Sequence, residues 1–299
     1  MGVVDEMHVV KITDGLGNQM FQYAFAKKLQ MITKKDVFLD TRFINHEDII
    51  NRGETPRFIK NYDIREYGLA KYKITLPIAD KRVLSRWNYL TNNKKNTVVS
   101  SLAINNMWIW QYRNECMQET KNICLNDRFV LPTYFEGYFF NLNYYNDILD
   151  ILRKEFTLAQ PIKLPVYLKR ELEKQNTVSI HVRRGDFTRL SRDISEKPYY
   201  RNAIEWIERR VHEPQYLVFS DDISWVQENL DIQGKKIYIS NSHFADYEEM
   251  AIMKHCKHNI IANSTFSYWA AYLNSNKNKI VIYPKNWRKT IIPKEWIGI

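Results

Sequence analysis

A chain of 299 residues with 44% hydrophobic content is long and apolar enough to bury a sizeable core as one large domain or two of ordinary size, which sets disorder aside as its main state. Its 44 Lys and Arg against 34 Asp and Glu give a net charge of +10, a surface that attracts polyanions, anionic headgroups and phosphorylated small molecules without choosing among them. The three cysteines, Cys116, Cys124 and Cys256, are odd in number and form no CxxC pair, so neither a disulfide framework nor a zinc site is suggested.

No apolar run approaches the roughly 18 to 20 residues that span a bilayer, and the start MGVVDEMHVVKITDG has acids where a signal peptide needs a basic and then an apolar region. A soluble, cytoplasmic protein with reduced thiols is expected, its basic surface leaving peripheral contact with an anionic membrane open. Nucleic acid is not expected as a partner, because no zinc finger or RRM-like aromatic motif is present and short basic runs such as Lys94-Lys95 and Lys235-Lys236 read as solvated surface.

In chain order, MHVVKIT (Met7 to Thr13) reads as a strand. A glycine turn follows, then a helix carrying Phe21, Ala24, Phe25, Leu29 and Ile32 on one face at spacings of three and four. The turn DGLGNQMFQYA matches a dinucleotide fingerprint only in part. Gly15 and Gly17 fit GxG, but Met20 stands where the third glycine belongs, and Asp40 is the only acid to close a second strand about 20 residues on. Asn18 and Gln19 read instead as neutral hydrogen-bonding groups reaching into a cleft, suited to a polyhydroxylated ligand.

From about Lys34 to Ser101 the pattern is mixed and its elements cannot be ordered. The aromatic bunch YFEGYFFNLNYY (Tyr134 to Tyr145) supplies either flat faces for sugar rings or a packing layer between domains. A helical stretch follows near Tyr144 to Phe156. TLAQPIKLPVYLKRELEKQN, with Pro161 and Pro165, is then a connector leading into a short helix and carries the domain boundary.

The second half alternates. Strand candidates are TVSIHV (Thr177 to Val182), QYLVFS (Gln215 to Ser220), KKIYIS (Lys235 to Ser240), NIIAN (Asn259 to Asn263) and KIVIYP (Lys279 to Pro284). Helical patterns run through Tyr200, Ala203, Ile204, Ile207 and Val211, through Met250 to His255, and through Phe266, Trp269, Ala270 and Leu273. This is the pattern of a parallel sheet covered on both faces, which binds ligands at the carboxyl ends of its strands. The polar motifs sit at those ends: His181, Arg183, Arg184 and Asp186; Ser220, Asp221 and Asp222; Asn263, Ser264 and Thr265.

In SIHVRRGDF each arginine offers a charged fork of donors that matches phosphate. Adjacent residues at a strand end point in opposite directions, so one arginine serves a ligand while the other pairs with Asp186 or a neighbouring loop. The alternative is a purely structural salt-bridged strand end. NSTFSYWAAYLN places Ser264 and Thr265 where an amphipathic helix starts, an anion site or a plain N-cap. Two anion sites on neighbouring strand ends suggest a diphosphate. His255, Cys256 and His258 have the look of metal ligands, but they lie at a helix end with no fourth partner and read as structural.

Taken in order, DGLGNQMFQYA, EGYFFNLNYY, SIHVRRGDF, VFSDD and MAIMKHCKHNIIANSTFSYWAAYLN resemble the bacterial alpha-1,2-fucosyltransferases of glycosyltransferase family 11, over a stretch from about Lys11 to Tyr283. The HxRRxD element is shared with alpha-1,6- and protein O-fucosyltransferases. The resemblance implies an α/β, GT-B-like fold of two Rossmann-like domains facing across a cleft, residues 1–160 on the acceptor side and 161–299 binding GDP-fucose. It implies inverting transfer of L-fucose from GDP-fucose to the 2-hydroxyl of a terminal galactose, on an oligosaccharide or lipid-linked glycan of bacterial O-antigen synthesis, with no cofactor and no divalent metal.

By the same resemblance Arg183 holds the donor beta-phosphate, with Arg184 and Asp186 as its scaffold. His181 lies along the nucleoside, and Asn263, Ser264, Thr265, Phe266 and Ser267 contact the diphosphate. Asp221 hydrogen-bonds nucleoside or backbone groups. Glu249, where the family more often has aspartate, is the candidate reader of the guanine N1–H and N2–H pair. Asp14, beside the glycine turn of Gly15, Gly17, Asn18 and Gln19, is the candidate base. Two other readings stay open: another GDP-fucose-dependent transferase, alpha-1,6- or protein O-linked, and a non-catalytic nucleotide- or glycan-binding protein.

Overall fold

The computed structural model describes residues 7–44, 65–85, 111–114, 132–196, 198–240 and 244–299. Cys116, Cys124 and Lys94-Lys95 lie outside them. The chain divides into two compact units, Met1–Leu158 and Ala159–Ile299.

The first unit is built on four parallel strands, β1 (Met7–Lys11), β2 (Asp36–Asp40), β3 (Gln111–Asn114) and β4 (Thr133–Glu136), in the order β2-β1-β4-β3. Helix α1 (Leu16–Thr33) makes the crossover from β1 to β2 and ends on Lys34, whose left-handed φ of 59° stops the helix. Its apolar face, Phe21, Ala24, Phe25 and Leu29, is fully buried.

Most of the aromatic bunch packs within this unit. Phe139 stacks on Phe25 at 3.8 Å between centroids, Tyr144 and Phe135 meet Phe25 edge-on, and Tyr145 meets Phe21. These rings form core rather than a layer between domains, although Tyr138 and Phe140, stacked on each other, stay half-buried. The helix expected from Tyr144 to Phe156 is broken into turns at Leu142–Tyr144 and Asn146–Ile148, with α3 (Leu149–Glu155) after them; α2 (Lys81–Ser85) is a separate short helix. The Asn141 side chain accepts from the Asn143 N–H, a local bond that competes with a continuous helix.

The second unit has six parallel strands, β5 (Thr177–Val182), β6 (Gln215–Ser220), β7 (Lys236–Ser240), β8 (His258–Ile260), β9 (Val281–Tyr283) and β10 (Ile297–Gly298), in the order β10-β9-β8-β5-β6-β7. Among the described residues six helices accompany them: α4 (Val166–Leu172), α5 (Gly185–Arg189), α6 (Tyr199–Glu208), α7 (Ile223–Asn229), α8 (Asp246–His255) and α9 (Thr265–Leu273). Strand β8 stops three residues earlier than NIIAN suggests, because the Ile261 carbonyl accepts from the Tyr199 hydroxyl as the chain turns toward α9. The core of this unit lines β5 and β6 with Val178, Ile180, Tyr216 and Val218 against Tyr200, Ala203, Ile204 and Ile207 of α6.

Each sheet has a point where the chain reverses its direction of travel. From β5 it runs outward through β6 and β7, then returns to lay β8 on the other flank of β5. In the first unit β2 and β4 take opposite flanks of β1. Such reversals open a crevice at the carboxyl ends of the two central strands.

Candidate active site

The crevice of the second unit lies between the ends of β5 and β8. Arg183 leaves β5 with its side chain about a quarter exposed. Its Nε and Nη2 donate to Asp186 Oδ1 at 3.0 and 2.6 Å, and Nη1 lies 2.8 Å from Asp221 Oδ2. A guanidinium carries five N–H groups, so this two-sided clamp fixes its plane and leaves donors over for a further anion.

Arg184 points the other way. Nε donates to Asp222, Nη1 to Asp193 and the Ser195 hydroxyl, and the guanidinium lies 3.8 Å over the Trp225 ring. With 12% side-chain exposure and these partners it braces the loops, in keeping with its expected part as scaffold. Asp221 likewise binds protein, accepting from the Arg184 backbone N–H at 2.8 Å. A Cβ on Gly185 would stand 2.5 Å from that carboxylate, so glycine is what permits the contact.

At the end of β5, after β8 and in the first turn of α8 are buried polar atoms without a hydrogen-bond partner: His181 Nδ1, Asn263 Oδ1 and Glu249 Oε1. Others, such as the Tyr67 and Tyr216 hydroxyls, are scattered elsewhere, but these three belong to the chain ends and first turn that surround the crevice. His181 is brought down to about 3 by burial and then by the Arg183 charge, so its ring is neutral at ordinary pH; it faces Phe266 at 5.5 Å between centroids, and its carbonyl accepts from Tyr200. Glu249, in the first turn of α8, is pushed up to about 8 by burial, then by the charges of Asp246 and Asp221.

Asn263 donates to the Arg192 carbonyl. At the start of α9 Ser264 accepts from the Phe266 N–H, the plain cap, and Ser267 donates to the Ser264 carbonyl. Thr265 begins the helix proper beside them.

In the first unit the turn after β1 is held from below. Asp14 has a left-handed φ of 64° and accepts on Oδ2 from the Thr13 hydroxyl at 3.0 Å. Gly15 caps α1 with an ordinary φ of −70°, open space where a Cβ would stand, and a carbonyl that accepts from the Asn18 and Gln19 N–H groups; Gly17 is buried in the first turn. Gln19 does not reach for a ligand as expected. It is fully buried, donating to the carbonyls of Asp14 and Glu66 at 2.7 and 2.8 Å and accepting from the Gly68 N–H at 3.0 Å. Asp40, the fingerprint acid, is buried against Arg42 and the Tyr134 hydroxyl.

Sequence reasoning missed Thr13, Gln22, the Lys11–Glu136 pair beside the same turn, and Asp193, Ser195 and Trp225 around Arg184. Gln22 alone left a signal, an amide three residues after Gln19 within an apolar helix. Among the described residues no group of His, Cys, Asp and Glu could hold a metal ion. His255 Nδ1 meets the Ala251 carbonyl, the Cys256 thiol is buried and pushed up by burial, and His258 accepts from the Ile280 N–H. No helix among the described residues is long and apolar enough to cross a membrane.

Two parallel-sheet units, one with a clamped arginine at its strand reversal, are the frame of a glycosyltransferase: the chain belongs to glycosyl transferase family 11, whose pattern matches residues 7–299. It is 31% identical to the O-antigen biosynthesis glycosyltransferase WbnK of Escherichia coli, over 96% of this chain and 99% of that one. It is 27% identical to an alpha-1,2-colitosyltransferase of Escherichia coli, over 97% and 98%, and 27% identical over 52% of its length to 49% of the human galactoside alpha-(1,2)-fucosyltransferase 1. Its fold, α/β and GT-B-like, is similar to that of Arabidopsis thaliana FUT1, solved as a mutant in complex with GDP, with a TM-score of 0.50 at 12% identity over 98% of this chain and 73% of that one.

Proposed function

We propose that the protein is an inverting alpha-1,2-fucosyltransferase that moves L-fucose from GDP-fucose to the 2-hydroxyl of a terminal galactose. The observation that carries this is Arg183, pre-clamped by Asp186 and Asp221 at the β5–β8 reversal, in a unit whose His181 Nδ1, Glu249 Oε1 and Asn263 Oδ1 are buried without a partner. The diphosphate lies on the free donors of Arg183 and at the start of α9, along Asn263 to Ser267. The nucleoside runs past His181, and Glu249, which burial keeps protonated near neutral pH without a partner, releases its proton as it accepts from guanine N1–H and N2–H.

The acceptor oxygen attacks the anomeric carbon, the bond from that carbon to the beta-phosphate oxygen breaks, and GDP leaves with the electron pair. Charge grows on the beta-phosphate, where a guanidinium already held by Asp186 and Asp221 stabilises it without reorganising. The hydroxyl proton passes to Asp14 as the new bond forms. Arg183 supplies the positive charge for the leaving group, and we read the reaction as independent of a divalent metal.

The acceptor is a galactose-terminated oligosaccharide or lipid-linked glycan of O-antigen synthesis, met at the cytoplasmic side with the basic surface toward anionic lipid. The likeness to WbnK and to human galactoside alpha-(1,2)-fucosyltransferase 1 supports that reading. The full-length likeness to an alpha-1,2-colitosyltransferase favours one alternative, colitose as the sugar transferred by the same site. Incubation with GDP-fucose and a panel of beta-galactosides in EDTA tests the proposal: fucosylated galactoside is expected, and absence of transfer to every galactoside sinks it.

A further inference from the structure

The turn that carries Asp14 is held far more tightly than a strand-to-helix connection needs. A left-handed φ of 64° is strained for a residue with a side chain, and such conformations persist where surrounding contacts over-determine them. Here Gln19 fixes the Asp14 carbonyl from inside the helix. Gln22, one turn further along α1 and 1% exposed, accepts from the Thr13 backbone N–H at 2.9 Å and donates from Nε2 to the Thr13 hydroxyl at 3.1 Å and to the Gly137 carbonyl at 3.2 Å.

With its oxygen accepting from Gln22, the Thr13 hydroxyl directs its one proton to Asp14 Oδ2 at 3.0 Å. The chain of bonds from Gln22 through Thr13 to Asp14 therefore has one polarity and ends on a carboxylate. Neither glutamine meets solvent, while the neighbouring Gly15 has open space where a side chain would stand, so the rigidity lies beneath the turn and the accessible side is the one bearing Asp14.

We propose that Thr13, held by Gln22, is a positioning residue that aligns the Asp14 carboxylate to take the proton of the acceptor hydroxyl. This rests on the reading of Asp14 as the base. It accounts for two buried amides and a hydroxyl gathered on a single turn, where a capped helix start would need one side chain. Thr13 acts through Asp14 and touches no reacting atom.

The test is a double-mutant cycle on the full chain with GDP-fucose and a galactoside acceptor. Asp14→Asn is expected to lower kcat about 10²- to 10⁴-fold. Thr13→Val, which keeps shape and backbone N–H, is expected to lower kcat about 10- to 100-fold with the KM for GDP-fucose unchanged, and Thr13→Ser to restore it. In the Asp14→Asn background Thr13→Val is expected to cost nothing further, because its effect passes through the carboxylate.

A circular-dichroism spectrum and thermal midpoint equal to wild type show that each variant is folded, and unchanged calorimetric GDP binding shows that the second unit is intact. A Thr13→Val kcat equal to wild type beside an impaired Asp14→Asn, or losses that multiply in the double variant, overturns the proposal and leaves the fucosyltransferase reading standing. Wild-type transfer with an unimpaired Asp14→Asn removes the base and the proposal together. No transfer by the wild type overturns the functional reading first and the proposal with it.

Discussion

Arg183 and Arg184 are neighbours with the same chemistry and different partners, and the strand decides between them. Alternation at the end of β5 sends Arg184 into Asp222, Asp193, Ser195 and Trp225, whereas Arg183 stays at the crevice between Asp186 and Asp221. Lysine at position 183 keeps the charge but cannot span both carboxylates and a phosphate. Arg183→Lys is expected to lower kcat about 10²- to 10³-fold while the thermal midpoint falls by only a few degrees; equal turnover in the variant would remove Arg183 as the clamp.

Glu249 yields a pH signature at the same scale. Its carboxyl titrates near 8 in the fold against 4.5 in an ordinary setting, so between those values the folded chain holds a proton that the unfolded chain has released. Its stabilising contribution is therefore complete below about pH 4.5 and is lost as pH rises to about 8. Glu249→Gln, which cannot ionise, is expected to gain in melting temperature over wild type as pH is raised from 5 to 8. A gap that does not widen means that Glu249 ionises freely in the fold.

That the two arginines take different partners was legible in SIHVRRGDF, because adjacency and strand alternation are local facts; that Asp186 pairs with Arg183 while Arg184 turns to the neighbouring loops was not. Asp193, Ser195 and Trp225 were not, since only tertiary folding brings them to Arg184. Gln19 shows a further limit: the sequence identifies an amide near a glycine turn but not which way it faces, and here it faces the loop at Glu66 and Gly68.

Among elements, strongly periodic segments were readable and their ends less so. The apolar face of α1 and the buried strands β5 and β6 follow directly from spacing, whereas β2, β3 and β4 fall in or beside mixed stretches whose pairing with β1 is a long-range fact. Helix α9 combines structure and site: its first residues meet the crevice, while Trp269, fully buried, contacts Tyr268 and Tyr272 edge-on. Trp269→Ala is expected to cost about 3–5 kcal/mol in denaturant unfolding and to weaken GDP binding by loosening the helix start. Unchanged stability would show that the helix is held by other contacts.

For the whole molecule, two parallel sheets, each with a strand reversal at its centre, give two sites of different character. The second unit offers a clamped guanidinium and buried unpartnered acceptors, to which the proposal assigns the nucleoside diphosphate; the first offers a braced carboxylate turn, to which it assigns the acceptor hydroxyl. A net charge of +10 favours anionic donors and surfaces in general and by itself names neither GDP nor fucose. The identity of the sugar therefore turns on the product that the enzyme makes. Linkage-resolved analysis of the product formed from GDP-fucose and disaccharide acceptors in EDTA decides it: fucose alpha-linked to the 2-hydroxyl of a terminal galactose is expected, and fucose on any other hydroxyl, or no fucose transferred at all, would overturn the alpha-1,2-fucosyltransferase reading.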